Sequence, residues 1–434
     1  MKIAIIGYGL EGQAAYDYWS KDNEITICDQ NEVSAPEGVA TQFGESYLNN
    51  LNDFDVIVRS PFVHPSKLVE AAGPGVLDLV TSNTNEFLKV CPTKNIIGVT
   101  GTKGKGTTAT LIANMLGQAG KIVHLGGNIG VPALELLKND IQEDDWVILE
   151  LSSFQLIDLK SSPHIAVCLM VVPEHLDWHE DFEEYIAAKQ QLFMHQDDED
   201  LAIYYAKNEN SVSIADASMG VQIPFYEKPG AVVENGAITI DDQVICQTDE
   251  LKLLGEHNWQ NACAAVTAAW QVTQDVAALR SVLTTFAGLE HRLELVRELG
   301  GVSYYNDSFS SGLHSTEAAI ASISLPKVVV VGGYDRMLPL DHFMEFLKTN
   351  ANSIKTLMII GASGIRLIEA LNTQGYSNFV DATDLKTMPE VVAKAKSLAA
   401  DGDAILLSPG FASFDMFKNF EDRGVQFKAA VLAL

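Results

Sequence analysis

The sequence predicts an α/β protein of three domains, built mainly from parallel strands that alternate with helices. Its 434 residues are 47% apolar, which is enough to fill a core in each domain. Short apolar runs end in glycine or polar turns and are followed by longer helix-like segments, a rhythm typical of parallel α/β folding. Three blocks with this rhythm place the domains at residues 1–90, 91–289 and 290–434.

The first block predicts strands at residues 2–6, 25–28 and 55–59. The stretch GYGLEG (residues 7–12) follows the first strand and opens a helix, and Asp29 ends the second strand. This is the G-x-G-x-x-G pattern with an acidic residue about 20 positions later. It indicates a pyrophosphate at a helix N-terminus, in a dinucleotide or in a UDP-sugar. A tight strand-to-helix turn without a ligand is the alternative.

Residues 98–110, GVTGTKGKGTTAT, nearly match the phosphate-binding pattern G-x-x-x-x-G-K-[ST]. In that pattern backbone N–H groups surround the phosphates, the lysine reaches the terminal phosphates and the next hydroxyl holds Mg²⁺. Lys105 stands at the lysine position, whereas Gly106 stands where the hydroxyl belongs. A β-branched strand precedes the loop, and a helix that ends near Gly117 or Gly120 follows it. This context indicates a nucleotide site, and a glycine-rich turn is the alternative.

Further polar residues in the second block suit a metal-assisted site. Glu150 ends the apolar run WVILE, where an acidic Mg²⁺ ligand or a water-holding group belongs. His175 follows another strand end, and Lys189 lies on the next helix after two alanines. Taken singly, the histidine is as well explained as a structural hydrogen-bonding group and the lysine as a solvated charge. Later in the block, Asn235-Gly236 between apolar runs predicts a tight hairpin and an antiparallel extension.

The composition excludes several classes of partner. With 29 basic and 57 acidic side chains the formal charge is −28, which repels nucleic acid and anionic membranes. The five cysteines are scattered without a C-x-x-C motif, as in reduced cytosolic proteins. MKIAIIGYGL is a first strand and not a secretory signal, and no run of about 18 apolar residues occurs. We therefore expect a cytoplasmic protein with no nucleic acid partner and no membrane insertion.

Nine motifs occur in a characteristic order along the chain: GTKGKGTT, GGNIG (126–130), LELSSFQL (149–156), PEHLDWH, YIAAK (185–189), GEHNWQNACAA (255–265), LEHRLE (289–294), YNDS (305–308) and SPGFASFDMFKNFEDRG (408–424). Together they resemble the Mur ligases over essentially the whole chain. LELSSFQL and SFDMFKNFEDRG resemble the members that add D-glutamate, whereas the phosphate loop is shared by all Mur ligases and by folylpolyglutamate synthases.

The resemblance implies a Rossmann-like UDP-binding domain, a central P-loop ATPase-type domain and a Rossmann-like C-terminal domain that closes over ATP and brings the amino acid. It implies an ATP-dependent amide ligase of peptidoglycan precursor synthesis that uses ATP and Mg²⁺. The implied substrates are UDP-N-acetylmuramoyl-L-alanine and glutamate, joined through an acyl phosphate. We expect the enzyme to be a monomer.

The resemblance also implies roles for individual residues. The implied catalytic residues are Lys105, Glu150, His175 and a carbamylated Lys189, and the implied metal ligands are Glu150, His175 and Lys189. Because Gly106 has no side-chain oxygen, we add the hydroxyl of Thr107, one residue away, as a further metal ligand. ATP would be bound by Gly101, Thr102, Lys103, Gly104, Lys105, Gly106, Thr107, Asn261, Arg292 and Asp307. The UDP part would be bound by Gly9, Leu10, Glu11, Asp29, Gln30 and Ser60, and the muramoyl-alanine part by Asn128, Ser152 and Gln155. The acceptor amino acid would be bound by Ser311, Arg336, Ser413 and Phe420.

Five positions depart from the pattern of the Mur ligases. Gly106 replaces the usual Ser or Thr, Phe309 replaces a lysine, Ser311 replaces a threonine, Arg336 replaces a lysine expected to bind an acceptor carboxylate, and Gly410 replaces an alanine in SPGFAS. Because the altered residues lie where the handedness of the acceptor would be read, L-glutamate remains a rival to D-glutamate. A binding homologue that has lost turnover also remains open. A dinucleotide-dependent oxidoreductase would explain GYGLEG alone and would leave Lys105 and the rest of the second block unexplained.

Overall fold

The computed structural model describes residues 1–253, 255–335 and 339–434, with only the backbone of His314. The chain forms two compact units, one of Met1–Lys252 with Glu256–Phe286 and one of Leu253–Gly255 with Ala287–Leu434. Both units are built from sheets with helices between the strands, which confirms the predicted α/β class. Among the described residues, no helix has both the length and the apolar character needed to cross a membrane.

The first sheet has five parallel strands in the order β3-β2-β1-β4-β5. The strand order reverses at β1, so the glycine loop after β1 lies at the point where doubly wound sheets bind ligands. The three predicted strands are confirmed, whereas β3, with the half-exposed sequence ATQF, and the two-residue β5 were missed. The elements are β1 (Lys2–Ile6), α1 (Leu10–Trp19), β2 (Glu24–Asp29), β3 (Ala40–Phe43), β4 (Val56–Arg59), α2 (Pro65–Ala72), β5 (Val80–Thr81) and α3 (Asn83–Val90).

The second sheet has six parallel strands in the order β11-β10-β9-β6-β8-β7. Its central strand β6 is buried at every residue, as expected for a strand covered on both faces. The elements are β6 (Ile96–Thr100), α4 (Lys105–Gln118), β7 (Val123–Gly127), β8 (Trp146–Glu150), α5 (Ser153–Leu156), β9 (Ile165–Cys168), α6 (Phe182–Met194), β10 (Leu201–Tyr205), α7 (Glu209–Ala215) and β11 (Val221–Phe225).

A small antiparallel sheet and two helices complete the first unit. The predicted hairpin is confirmed, because Asn235 and Gly236 both have the positive φ that a two-residue turn requires, 52° and 78°. Helix α8 is rich in alanine and buries ten residues, so it packs closely against α4. The elements are β12 (Val232–Glu234), β13 (Ala237–Ile240), β14 (Gln243–Gln247), α8 (His257–Trp270) and α9 (Val276–Thr285).

The second unit contains a six-stranded sheet in the order β15-β16-β20-β17-β18-β19. Strand β15 is antiparallel to β16 and the other pairs are parallel. Buried apolar clusters cover both faces. The elements are β15 (Glu294–Leu299), β16 (Val302–Asn306), α10 (Leu313–Ser322), β17 (Lys327–Val331), α11 (Asp341–Thr349), β18 (Ile354–Ile359), α12 (Gly364–Thr373), β19 (Phe379–Asp381), α13 (Met388–Leu398), β20 (Ala404–Leu407) and α14 (Phe420–Leu432).

A buried ion pair joins the first sheet to the second. Arg59 ends β4 and is 1% exposed. Its Nε and Nη2 each donate to a carboxylate oxygen of Asp158, at 2.7 Å, and Nη2 also donates to the carbonyl of Phe154 at 2.9 Å. Its Nη1 donates to the carbonyls of Ser60 and Val63, at 3.1 and 2.9 Å. Because every guanidinium nitrogen has a partner, the buried charge is fully compensated.

We expect Arg59→Met to lower the free energy of unfolding of the first unit by about 3–5 kcal/mol, because Asp158 would keep a largely buried charge without its partner. All five tryptophans lie in this unit, so urea unfolding followed by tryptophan fluorescence reports on it alone. The control Lys138→Met removes an exposed cation paired with Asp17 and Glu135 and should leave the transition unchanged. Unfolding of Arg59→Met at the wild-type urea concentration would contradict the assignment.

Candidate functional site

The carboxyl edge of the second sheet gathers the predicted phosphate loop and its polar neighbours. Strand β6 pairs with β8 on one side and with β9 on the other. The loop after β6, Glu150 at the end of β8, and the segment from Leu169 to His175 after β9 therefore start from adjacent strand ends. This is the edge at which parallel α/β sheets bind ligands.

The phosphate loop closes tightly around Gly104. This residue has a φ of 88°, and a Cβ on it would lie 2.2 Å from Oδ1 of Asn261, so no other residue fits. Asn261, on α8, is thereby held against the loop. Lys105 begins α4, and its Nζ donates to the carbonyls of Gly101 at 3.1 Å and Thr102 at 3.0 Å. The lysine and the N-terminus of α4 thus lie together, which favours an anion at this point.

The remaining loop positions agree with the near match seen in the sequence. Gly106 and Thr107 follow Lys105 in the first turn of α4, and both are buried. Lys103 is exposed, whereas Thr102 is 5% exposed and its Oγ1 lies 3.0 Å from the hydroxyl oxygen of Tyr185. The hydroxyl of Thr107 is therefore the side-chain oxygen that the chain supplies beside Gly106.

Glu150 and Asn128 are held together at the ends of β8 and β7. Glu150 is 7% exposed, and its Oε1 accepts a hydrogen bond from Nδ2 of Asn128 at 3.0 Å. The backbone N–H of Asn128 also donates to the carbonyl of Glu150, at 2.8 Å. The structure therefore brings a predicted metal ligand into contact with a predicted substrate residue.

Lys189 is a buried amine, not a solvated charge. It is 1% exposed, and its Nζ donates to the carbonyl of Gly101 at 3.0 Å and to Oγ1 of Thr100 at 3.3 Å. The ring of Tyr185 lies 4.5 Å from Nζ. Burial and the nearby charge of Lys105 lower the pKa of Lys189 to about 7. A large share of this amine is therefore neutral at neutral pH.

His175 lies in the loop after β9 with an unusual backbone conformation, φ of 60°. Its side chain is 45% exposed, and its ring packs 4.8 Å from the ring of Phe154. Partial burial lowers the pKa of His175, although Glu174, at 3.9 Å, opposes the shift. The imidazole is thus mainly neutral near pH 7, which is the form that binds metals.

At the edge of the first sheet, Asp29 shapes the glycine loop. Its two carboxylate oxygens accept hydrogen bonds from the backbone N–H groups of Tyr8 at 2.8 Å and Asn31 at 2.9 Å. A Cβ on Gly12 would lie 2.1 Å from the carbonyl oxygen of Gly7, which explains the third glycine of the pattern. The other predicted residues at this edge are exposed or half-exposed: Gly9, Leu10, Gln30 and Ser60.

Glu11 connects the two sheets through a chain of amide groups. Its Oε1 accepts from Nε2 of Gln155 at 2.8 Å, and its Oε2 accepts from Nδ2 of Asn83 at 2.6 Å. Gln155 in turn accepts from the backbone N–H and the hydroxyl of Ser152, at 3.0 and 3.1 Å. Burial raises the pKa of Glu11, and the two amides work against that shift. The residues predicted to bind the two parts of the UDP-sugar therefore form one network.

In the second unit, Asp307 is the centre of a buried polar cluster. It is 3% exposed, and its Oδ2 accepts from the hydroxyls of Ser310 at 2.5 Å and Ser408 at 2.7 Å. Its Oδ1 accepts from the backbone N–H of Leu293 at 3.1 Å. Burial raises the pKa of Asp307 to about 6. The carboxyl group thus holds together the loops that follow β16 and β20.

In the second unit, Phe309 and the predicted acceptor residue Phe420 form an aromatic pair. The ring of Phe309 lies 5.4 Å from the guanidinium carbon of Arg292 and 5.2 Å from the ring of Phe420, edge to face. Ser413 is 2% exposed and Ser311 is exposed. Arg336 lies outside the described residues. The phenyl ring that replaces a lysine therefore contacts both a predicted ATP residue and a predicted acceptor residue.

Several residues that hold the site in place were not predicted from the sequence. Arg59 and Asp158 join the two sheets, and Asn83 binds Glu11. Tyr185 connects Thr102 with Lys189. A charged residue at the end of the apolar strand VIVR was a usable signal for Arg59, whereas its partner 99 residues away leaves no local signal.

Comparisons with known proteins agree on one family. The Mur ligase middle domain matches residues 99–269. The chain is 37% identical over 448 residues to the UDP-N-acetylmuramoylalanine–D-glutamate ligase of Clostridium kluyveri, covering 99% of this chain and 96% of that protein. Its fold is similar to that of the UDP-N-acetylmuramate–alanine ligase of Thermotoga maritima, with a TM-score of 0.58, 16% identity, and coverage of 100% and 99%. It is also similar to a MurF ligase of Thermotoga maritima in complex with ADP, with a TM-score of 0.58, 17% identity, and coverage of 99% and 94%.

Proposed function

The chain belongs to the Mur ligase family, among the UDP-N-acetylmuramoylalanine–D-glutamate ligases, and we propose that it joins D-glutamate to UDP-N-acetylmuramoyl-L-alanine in an ATP-dependent step of peptidoglycan precursor synthesis. One observation carries the chemistry of this proposal. The phosphate loop with Lys105, the buried carboxylate of Glu150 and the buried amine of Lys189 all belong to the carboxyl edge of one sheet or to the helix beside it.

The reaction proceeds through an acyl phosphate because a carboxylate is a poor electrophile. A carboxylate oxygen of the alanyl group attacks the γ-phosphorus of ATP, and the bond to the leaving ADP breaks. The amine of glutamate then attacks the acyl carbon, loses a proton, and phosphate leaves as the amide forms. Phosphoryl transfer needs charge neutralisation and in-line placement more than covalent help from the protein. Lys105 and the N-terminus of α4 supply these at the phosphates.

The residues at this edge suit Mg²⁺. Glu150 offers a buried carboxylate and Thr107 a hydroxyl, and hard cations prefer such oxygen ligands. Mg²⁺ bound there would neutralise phosphate charge. In this proposal His175 and Lys189 would hold a second Mg²⁺. An ammonium group does not bind a cation, so Lys189 fits this role only after its amine adds CO₂ and the product loses a proton, which leaves a carboxylate-like oxygen ligand.

The structure favours that modification at Lys189. The amine is buried, both of its hydrogen-bond acceptors are neutral oxygens, and Lys105 disfavours a second positive charge beside it. CO₂ adds to the neutral form of an amine, which this environment enriches. Carbamylation then replaces a buried cation by an anion next to Lys105.

The substrates are assigned to the groups described above. Gly9, Leu10, Glu11, Asp29, Gln30 and Ser60 bind the UDP part, and Asn128, Ser152 and Gln155 bind the muramoyl-alanine part. Asn261, Arg292 and Asp307 bind ATP, and Ser311, Arg336, Ser413 and Phe420 bind the acceptor. In this proposal the protein is a cytoplasmic monomer, with domains at residues 1–90, 91–289 and 290–434.

L-Glutamate is the second candidate acceptor. Phe309 stands where the family has a lysine and contacts Phe420, so the acceptor region differs in both charge and shape. An acceptor with two carboxylates needs a donor for each, and in this proposal the two-pronged guanidinium of Arg336 would pair with one carboxylate while Ser413 would donate to the other.

We expect Lys189→Ala to lower kcat by roughly 100-fold or more, because it removes the group that becomes a metal ligand. Added bicarbonate should not restore activity, whereas acetate should restore part of it by supplying a carboxylate oxygen. In the wild type, ¹³C-labelled bicarbonate should give one carbamate signal by NMR, and this signal should be missing in Lys189→Ala. The control Lys207→Ala removes an exposed lysine of the same unit and should change neither result. Wild-type turnover by Lys189→Ala would contradict the second-metal role.

We expect Gly106→Ser to lower the Mg²⁺ concentration for half-maximal phosphate release, because it restores a side-chain oxygen beside the phosphates. Lys105→Ala should lower kcat far more, on the order of 10²–10³-fold, because the charge of Lys105 acts on the transferred phosphate. Phosphate release measured across a Mg²⁺ titration compares the two variants. Intact ATP-dependent turnover by Lys105→Ala would mean that the loop is only a turn.

The acceptor is identified by phosphate release with UDP-N-acetylmuramoyl-L-alanine, ATP and D-glutamate, L-glutamate, D-aspartate or L-alanine in parallel. We expect D-glutamate to be preferred, and Arg336→Ala to raise the KM for glutamate strongly while leaving the KM for the UDP-sugar nearly unchanged. Preference for L-alanine would contradict the two-carboxylate argument. Preference for L-glutamate would contradict only the predicted handedness of the acceptor. No turnover with any acceptor would favour a binding homologue without ligase activity.

A further inference from the structure

Three side chains outside the proposed catalytic residues converge where the first sheet meets α6. His64 caps the N-terminus of α2, His179 lies in the loop before α6, and Glu184 lies in the first turn of α6. Oε2 of Glu184 is 3.2 Å from Nε2 of His64 and 3.0 Å from Nδ1 of His179. All three ligand atoms lie within 4.8 Å of one another. His64 is 8% exposed and His179 is 3% exposed, so this His64–His179–Glu184 cluster is largely shielded from water.

The spacing of these atoms suits a tetrahedral metal ion. Zn²⁺ binds imidazole nitrogen and carboxylate oxygen at about 2.0–2.2 Å, which places neighbouring ligands of a tetrahedral site about 3.3 Å apart. The two separations measured to Glu184 are close to that value. An ion could therefore bind with only small side-chain movements. Two histidines and one carboxylate are also a ligand set that zinc sites use with one further position open.

The groups around the cluster match those that support metal-bound histidines. The second ring nitrogen of His179 lies 2.9 Å from the hydroxyl of Ser153, and that of His64 lies 2.7 Å from the hydroxyl of Ser66. A metal on Nε2 of His64 puts the ring proton on Nδ1, where the Ser66 hydroxyl accepts it in place of the 3.2 Å bond from the Ser66 N–H. The backbone N–H of Glu180 donates to Oε2 of Glu184 at 3.0 Å and orients the carboxylate.

A route to the cluster is also present. A cavity of about 420 Å³ has His64, Glu180, Glu184, Asp158 and Lys160 among its lining residues. It has room for a water molecule as a fourth ligand. Of its charged lining groups, Asp158 is paired with Arg59 and Lys160 is a cation, so the attraction for a metal ion comes from Glu180 and Glu184.

We propose that His64, His179 and Glu184 form a binding site for a divalent transition-metal ion, with Zn²⁺ the best match to two imidazoles, one carboxylate and one water. The ion ties the segment after β4 to α6, the helix that carries Lys189. This inference does not depend on the proposed ligase activity. Without an ion, both histidines can donate to Glu184, so a purely hydrogen-bonded cluster is the competing outcome of the test.

The test measures metal binding by the full-length protein without substrates. Protein treated with a chelator and then saturated with Mg²⁺, which occupies oxygen-rich sites, is titrated with Co²⁺ and then with competing Zn²⁺. We expect one equivalent of Co²⁺ with the visible absorption of a four-coordinate nitrogen and oxygen site, displaced by one equivalent of Zn²⁺. Lys189→Ala should still bind this equivalent, which separates the cluster from the proposed Mg²⁺ sites.

Variants locate the site. His64→Gln and Glu184→Gln should each weaken Co²⁺ binding by roughly 100-fold or more. The control His164→Gln removes a histidine of the same unit that pairs with Asp200 at 2.9 Å, and it should bind Co²⁺ as the wild type does. Tryptophan fluorescence checks that each variant is folded. Two results would overturn the proposal and favour the hydrogen-bonded cluster. One is that the wild type binds no Co²⁺ beyond the Mg²⁺-protected sites, and the other is that folded His64→Gln and Glu184→Gln bind Co²⁺ with unchanged affinity.

Discussion

The buried guanidinium of Arg59 is the constraint on which the architecture of the first unit depends. A buried charge is tolerated only when each of its polar atoms has a partner, and here the partners come from both sheets. The segment after β4 and the start of α5 must therefore keep one relative position. Ser60 lies in the first of these segments, and Ser152 and Gln155 lie in or beside the second. The chain of amides through Glu11 spans the same two segments that this ion pair holds together.

The low pKa of Lys189 follows from its burial and from the nearby positive charge of Lys105. Lys105 and Lys189 both donate to the carbonyl of Gly101, at 3.1 and 3.0 Å, so two amines share one acceptor in a buried place. Two adjacent positive charges are unfavourable there, and the more deeply buried amine is the one that loses its proton readily. The overall charge of −28 does not change this, because the pKa of a buried group is set by its nearest neighbours.

Local patterns in the sequence predicted most of the fold, and they predicted the site only in part. Three of the five strands of the first sheet and the hairpin at Asn235-Gly236 followed from β-branched runs and turn residues, whose preferences act over a few positions. The strand β3 was missed because ATQF is polar and half-exposed. The burial of Lys189 could not be predicted, since YIAAK fits a solvated helix equally well. The pairing of Arg59 with Asp158 and of His64 with Glu184 spans 99 and 120 residues, and no local pattern records such contacts.

The strand order of the second unit has a consequence for its synthesis. Strand β20, at residues Ala404–Leu407 of 434, is inserted between β16 and β17 and so occupies the middle of the sheet. The strands made before it have no continuous sheet to join, because β16 and β17 contact each other only through β20. On the ribosome the first unit can complete its sheets while translation continues, whereas the second must wait for nearly the last segment of the chain. A premature stop before residue 404 thus removes the centre of a sheet and not its edge.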